Sequence, residues 1–143
     1  MYFDTAYVAK LYVVEPDSGP VRELAHSTSE IVSSAHGRVE LAYMFHRKLR
    51  ERAIDRSDFQ HYWAQVEVDE RAGLLRWLML NEATLHACAR SALTLPPSNF
   101  VRAADALHLA CAKEHGFRTI HSNDQHLLAA AKHFGLKGKN VIG

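Results

Sequence analysis

Cysteine, proline and net charge are all scarce in this chain, and each scarcity closes off a class of protein. Two cysteines, Cys88 and Cys111, both in helical apolar surroundings, do not make a disulfide scaffold and read as two reduced core thiols. Four prolines and seven glycines leave no Pro/Gly linker, repeat or low-complexity tract. A formal charge of +1 is too near neutral to predict nucleic-acid or membrane binding, so any such binding must come from local patches. No apolar run is long enough to span a bilayer. Charged and polar residues begin at Asp4 and Lys10, so nothing here reads as a secretory signal. The expectation is a cytoplasmic protein whose 143 residues suit one domain, 1–143, with one core.

What is present is an ordinary apolar content arranged in alternating periods. Met1-Tyr2-Phe3 is a very short apolar stretch, and Ala6 to Val14 has helical spacing that Glu15-Pro16 stops. Asp17 or Ser18 is placed to cap a short helix through His26, and Glu30 to Ser34 reads as a strand. Gly37 opens a helix running to about Arg52. Ser57 caps another, with Phe59, Tyr62, Trp63 and Val66 at i, i+3, i+4 and i+7. Leu74 to Leu80 reads as a strand, with a helix as the alternative. Asn81 or Thr84 starts a helix that Pro96-Pro97 ends; Asn99 or Ser98 caps the next, which Gly116 closes. Thr119 to Ser122 is a strand, a last helix runs from Asn123-Asp124 to Gly135, and Asn140 to Ile142 is a terminal strand. Strand and helix in alternation predict an α/β fold, a parallel sheet covered by helices on both faces.

The stretch Arg102 to Ala112 is a helix made almost wholly of small and apolar residues, so it is expected to be buried. It carries one carboxylate, Asp105, and a buried Asp needs a partner: a cation, a hydrogen-bond donor or a metal. Three other acids fall at strand ends in this layout. Asp4 follows the first strand, Glu40 lies in the first turn of the helix after the second, and Asp124 sits at the turn after the fourth. Ligands of open parallel sheets bind outside the carboxyl ends of the strands. Singly, Asp4 and Asp124 are as well explained as helix caps, Glu40 as part of a cap, and Asp105 as a partner of Arg102 or His108. Together, four acids at one edge repel unless cations are bound, and such a set suits Mg²⁺ or Mn²⁺.

The ordered pieces Asp4-Thr5-Ala6, Lys10-Leu11-Tyr12, Glu15-Pro16, Arg38-Val39-Glu40-Leu41-Ala42, Arg102 to Ala110, Ser122 to Leu127 and Gly135-Leu136 resemble the PIN-domain family, specifically VapC-type toxin ribonucleases of toxin–antitoxin pairs. The resemblance implies a three-layer α/β/α sandwich around a five-stranded parallel sheet, with Asp4, Glu40, Asp105 and Asp124 as catalytic residues and metal ligands. It implies a Mg²⁺- or Mn²⁺-dependent endoribonuclease leaving 5′-phosphate and 3′-hydroxyl ends, a VapB-like antitoxin partner and a homodimer. Thr5 and Ser122 match the family's hydroxyls beside the first and last acids and are expected to orient carboxylates. Ala6 stands where the family often has Ser.

RNA approaching an acidic site needs cations on the rim. The candidates are Lys10, Arg38 and Arg102, with Arg47, Lys48 and Arg50 as a set that reads equally as a solvated helix face. The Phe59-Tyr62-Trp63-Val66 stripe reads as core, with a partner interface as the second possibility. His86-x-Cys88 and Cys111-x-x-x-His115 are isolated pairs and do not make a zinc site. His108 is expected to be a packed, hydrogen-bonded histidine. Aspartyl-phosphate chemistry fits poorly, because a haloacid-dehalogenase-type phosphatase wants an acid where Ala6 stands, and a response-regulator receiver wants an acidic pair near strand one. The non-enzymatic alternative is an inactive PIN scaffold that binds RNA or a protein partner.

Overall fold

Tyr2 and Phe3 belong to opposite sides of one extended segment, and both are fully buried. In the computed structural model, which describes all residues 1–143, that segment lies at the centre of the sheet. On one side it joins β1 (Ile31–Ser34): Phe3 N–H donates to the Val32 carbonyl at 3.0 Å, and Val32 N–H to Met1 at 2.9 Å. On the other it joins β3 (Thr119–His121): Asp4 N–H donates to His121 and His121 N–H to Tyr2, both at 3.0 Å. β1 pairs in parallel with β2 (Leu75–Leu78), and β3 with β4 (Lys137–Lys139). The order is β2, β1, Tyr2–Phe3, β3, β4, all parallel. The central piece makes single bridges only, so four strands and a bridging segment stand where five strands were expected. The α/β class with parallel strands is as read from the sequence.

Helices cover both faces. The Phe3 face packs against α1 (Thr5–Tyr12), α2 (Ser18–His26), α3 (Ala35–Arg50) and α4 (Arg56–Arg71), through Tyr7, Val8, Val21, Leu41, Phe45 and Val66. The Tyr2 face packs against α6 (Ala103–Glu114) and α7 (Gln125–Ala131), through Leu109, Cys111, Leu127 and Ala131. α5 (Glu82–Thr94) lies on α6. The aromatic stripe of α4 closes around Phe45: the rings of Phe59, Tyr62 and Trp63 lie 5.9, 5.8 and 6.5 Å from it, and Val66 is fully buried. Cys88 and Cys111 are free thiols.

Several boundaries differ from the sequence reading. α4 is capped by Asp55 and not Ser57, because Asp55 and Asp58 exchange side-chain and backbone bonds at 2.8 and 2.9 Å, satisfying two end groups at once. α6 starts after Arg102, with Ser98 and Asn99 left in the preceding turn. α3 starts at Ala35, making Gly37 its third residue, and stops at Arg50; Arg52 adopts a left-handed φ of 59°. The last strand is Lys137–Lys139, earlier than Asn140 to Ile142. An edge strand is defined by its backbone ladder and tolerates exposed lysines. Val141 and Ile142 instead pack on the core, and Val141 N–H bonds the Tyr7 hydroxyl at 2.9 Å.

Candidate active site

Asp4, Glu40, Asp105 and Asp124 meet in one open cleft of 340 Å³, with Thr5, Ala6, Met44, Arg47, Arg102, Ala104 and His108 on its walls. Chain direction explains the convergence. Asp4 follows the central segment, Asp124 follows β3, Glu40 is on the second turn of the helix after β1, and α6 brings Asp105 in its first turn. Two of the acids are also helix caps. Asp4 Oδ1 accepts the Tyr7 N–H at 2.8 Å, and Asp124 Oδ1 accepts the His126 and Leu127 N–H groups at 2.8 and 3.1 Å. A capping carboxylate has a fixed rotamer, so the local helix start also aims the acid into the cleft.

The remaining oxygens are fixed by neighbours. Ser122, fully buried, donates its hydroxyl to Asp4 Oδ2 and accepts the Asp124 N–H at 2.9 Å, tying the two acids together. Thr5 donates to Glu40 Oε2 at 2.6 Å, and His108 Nε2 lies 3.0 Å from the same oxygen. The other ring nitrogen of His108 meets the Tyr2 hydroxyl at 3.1 Å. Arg102 bridges the outer pair, reaching Asp105 Oδ2 with Nε at 2.7 Å and Asp124 Oδ2 with Nη2 at 2.6 Å. Gly37 allows this packing: a Cβ there would stand 3.0 Å from Thr5 Oγ1, 3.1 Å from Ser33 Oγ and 3.2 Å from His108 Cε1.

These surroundings push the carboxyls apart. Burial raises Asp4 from 3.8 to about 6, against the lowering pull of the Ser122 and Tyr7 hydrogen bonds. Burial would also raise Glu40, but the hydrogen bonds from His108 and Thr5 and the histidine charges outweigh it and hold Glu40 at about 2.

The basic residues divide. Arg102 and Arg47 border the cleft. Lys10 does not: it is buried, with Nζ 2.9 Å from Glu15 and 2.7 Å from Asp17. Arg38 does not either: it forks onto Glu70 at 2.7 and 3.2 Å and lies 4.9 Å over the Trp63 ring. Lys48 pairs with Glu15, and Arg50 is exposed outside the cleft. One residue beside the cleft drew no notice in the sequence. His36 sits one turn before Glu40 on α3, with Nε2 3.6 Å from Glu40 Oε2, and that i, i+4 spacing was the available signal. A larger cleft of 670 Å³ near α1 and α2 has no comparable chemistry, since its acids Glu30 and Asp69 are bonded to Arg76 and Tyr12.

The chain belongs to the PIN domain family, whose pattern matches residues 1–133. Two solved structures share the fold. A chain from the structure of FitAB bound to an IR36 DNA fragment superposes with a TM-score of 0.72 at 17% identity, covering 99% of this chain and 95% of that one. A chain of FitAcB from Neisseria gonorrhoeae superposes with a TM-score of 0.71 at 18% identity, covering 98% and 96%. No curated protein matches the sequence.

Proposed function

We propose that this protein is a metal-dependent endoribonuclease, a VapC-like toxin whose activity a VapB-like antitoxin blocks, and that residues 1–143 form one PIN domain. The observation that carries the reading is the convergence of Asp4, Glu40, Asp105 and Asp124 on one open cleft at the carboxyl ends of parallel strands. An all-carboxylate set fits a hard divalent ion, Mg²⁺ or Mn²⁺, and these four residues would hold it. When bound, the ion supplies Lewis-acid chemistry, making water nucleophilic at neutral pH and offsetting charge on the phosphoryl oxygens.

The chain's own residues do the rest. Ser122 and the Tyr7 N–H hold Asp4 in one rotamer, and Thr5 with His108 does the same for Glu40. Against burial, the hydrogen bonds from His108 and Thr5 hold Glu40 below the usual carboxylate range, so it stays ionised, as a metal ligand must. Arg102 balances Asp105 and Asp124; were these acids to hold a divalent ion, its guanidinium would be free for a backbone phosphate. Arg47, loosely paired with Glu51 at 3.8 Å, gives the rim a second cation. Cation-dependent RNA cleavage that disappears in Asp105→Asn tests the activity.

Support for an antitoxin partner comes from the fold shared with chains of FitAB and FitAcB, and a homodimer belongs to the same proposal. No helix is long and apolar enough to cross a membrane, consistent with a cytoplasmic site of action. The alternative of an inactive scaffold draws on the Arg102 bridge, which neutralises two of the acids without any ion.

A further inference from the structure

Beside the carboxylate cleft, nitrogen and oxygen donors of a different kind converge. The three donor atoms of His36, Glu40 and His108 all lie within 4.8 Å of one another. Glu40 Oε2 is 3.6 Å from His36 Nε2 and 3.0 Å from His108 Nε2, and the two imidazole rings are 4.4 Å apart. We propose that His36, Glu40 and His108 form a binding site for a borderline-soft divalent transition ion, Zn²⁺ foremost, adjoining the hard-cation site of the carboxylate cleft and sharing Glu40 with it.

The donors suit such an ion. Ligands about 2.0–2.2 Å from a four-coordinate zinc are roughly 3.3–3.6 Å from each other; the two spacings to Glu40 Oε2, 3.6 and 3.0 Å, lie at or just inside that range. Two imidazoles and one carboxylate are a poor set for Mg²⁺ and a good one for Zn²⁺ or its first-row neighbours. Each histidine is already oriented from behind. Nδ1 of His36 meets Ser34 Oγ at 2.5 Å, and Nδ1 of His108 meets Tyr2 Oη at 3.1 Å, leaving both Nε2 atoms toward Glu40. These hydroxyls hold the ring orientation, and each can accept the Nδ1 proton that an Nε2-ligating histidine carries. Placing His36 and Glu40 one turn apart on α3 puts two donors on one helix face.

The ion would replace protons now in place. Without it, His36 Nε2 donates to the Ala104 carbonyl at 3.1 Å and Thr5 donates to Glu40 Oε2 at 2.6 Å. On binding, His36 would give up the Ala104 bond, each Nδ1 would carry the ring proton, and the fourth position would be left to water. Access is from the Glu40 side, because the Glu40 side chain is 33% exposed while that of His108 is 3% exposed. Glu40 Oε1 makes no hydrogen bond to the protein, so one carboxylate can face both sites.

Zinc K-edge X-ray absorption on the wild-type full chain, loaded with one equivalent of Zn²⁺ in excess Mg²⁺, reads the site without any substitution. The expected result is two imidazole nitrogens at about 2.0 Å. A shell of oxygens alone would overturn the proposal. Zinc titration of His36→Gln gives the second test, since His36 is less buried than His108 and the variant is the safer one to fold. Affinity should fall by about tenfold or more in His36→Gln and stay unchanged in the double variant Asp105→Asn/Asp124→Asn. Unchanged zinc affinity in folded His36→Gln would also overturn it. Neither readout depends on RNA cleavage, so loss of the nuclease reading would leave this one standing, and the converse.

Discussion

Arg102 holds Asp105 and Asp124 together, 2.7 Å from one carboxylate and 2.6 Å from the other. The guanidinium occupies the outer half of the acidic cleft and neutralises part of a charge cluster that would otherwise repel itself. It is an internal counter-ion that a divalent cation held by these acids would have to displace.

Arg102→Gln should therefore act in two directions. Without metal, the variant melts lower, because two facing carboxylates lose their shared cation. With Mn²⁺, its gain in Tm is larger than that of the wild type, and apparent Mn²⁺ affinity rises about threefold to tenfold, roughly 0.7–1.4 kcal/mol, the scale of a partly exposed pair. Calorimetric titration and thermal melts, each with Mn²⁺ and with EDTA, check both. Weaker Mn²⁺ binding in the variant would mean that Arg102 supports the ion instead of competing with it.

Asp4 makes the metal-free protein less stable as pH rises. Its folded value of about 6 exceeds the unfolded 3.8, so between the two the folded state holds more protons and stability falls. Asp4→Asn removes that loss: in EDTA at about pH 8 the variant is expected to be more stable by about 1–3 kcal/mol, and near pH 4 the two should converge. Glu40 works in the opposite sense. Its folded value of about 2 lies below 4.5, so its contribution is present above 4.5 and lost as pH falls toward 2. Denaturant melts of wild type, Asp4→Asn and Glu40→Gln across pH separate the two signs.

The double duty of Asp4 and Asp124 explains what could be read from the sequence. Each acid had a capping reading and a functional one; the structure shows both caps and brings both carboxylates into one cleft, since the cap is what aims the carboxylate. The strand–helix alternation and the Arg102 to Ala112 helix were legible because small and apolar residues leave few other uses for such a stretch. The fates of Lys10 and Arg38 were not legible. Arg38 is neutralised by Glu70 from the far end of α4, and no local pattern carries that contact. His36 was only half legible: its i, i+4 spacing from Glu40 is local, but its meeting with His108 comes only through the packing of α6 against the sheet.

Gly37 is where α3 packs against Thr5, Ser33 and His108. Gly37→Ala gains helix propensity of about 1 kcal/mol but places a methyl against Thr5, Ser33 and His108. Thr5 and His108 are bonded to Glu40 and cannot move without loosening it, so overpacking of about 1–3 kcal/mol should prevail. The variant is expected to melt several degrees lower and to bind Mn²⁺ more weakly, both read from thermal melts with and without the ion. A higher Tm with unchanged Mn²⁺ binding would show that the neighbours yield freely.

Phe45 is the residue around which the α4 aromatics assemble. Phe45→Ala should cost about 3–5 kcal/mol, whereas an exposed position such as Leu93→Ala should change stability by less than about 0.5 kcal/mol. Urea unfolding measures both. A small loss at Phe45 would reopen the reading of the Phe59-Tyr62-Trp63 stripe as a partner surface.

The central claim is that the four carboxylates form a metal-dependent ribonuclease centre. Its most direct test is cleavage of a mixed-sequence structured RNA by purified, antitoxin-free protein with Mg²⁺, with Mn²⁺ and with EDTA, beside folded Asp105→Asn. Cutting is expected with either ion, none with EDTA, and none by the variant. Absence of cutting on several RNAs with either ion, or equal cutting by Asp105→Asn, would contradict it.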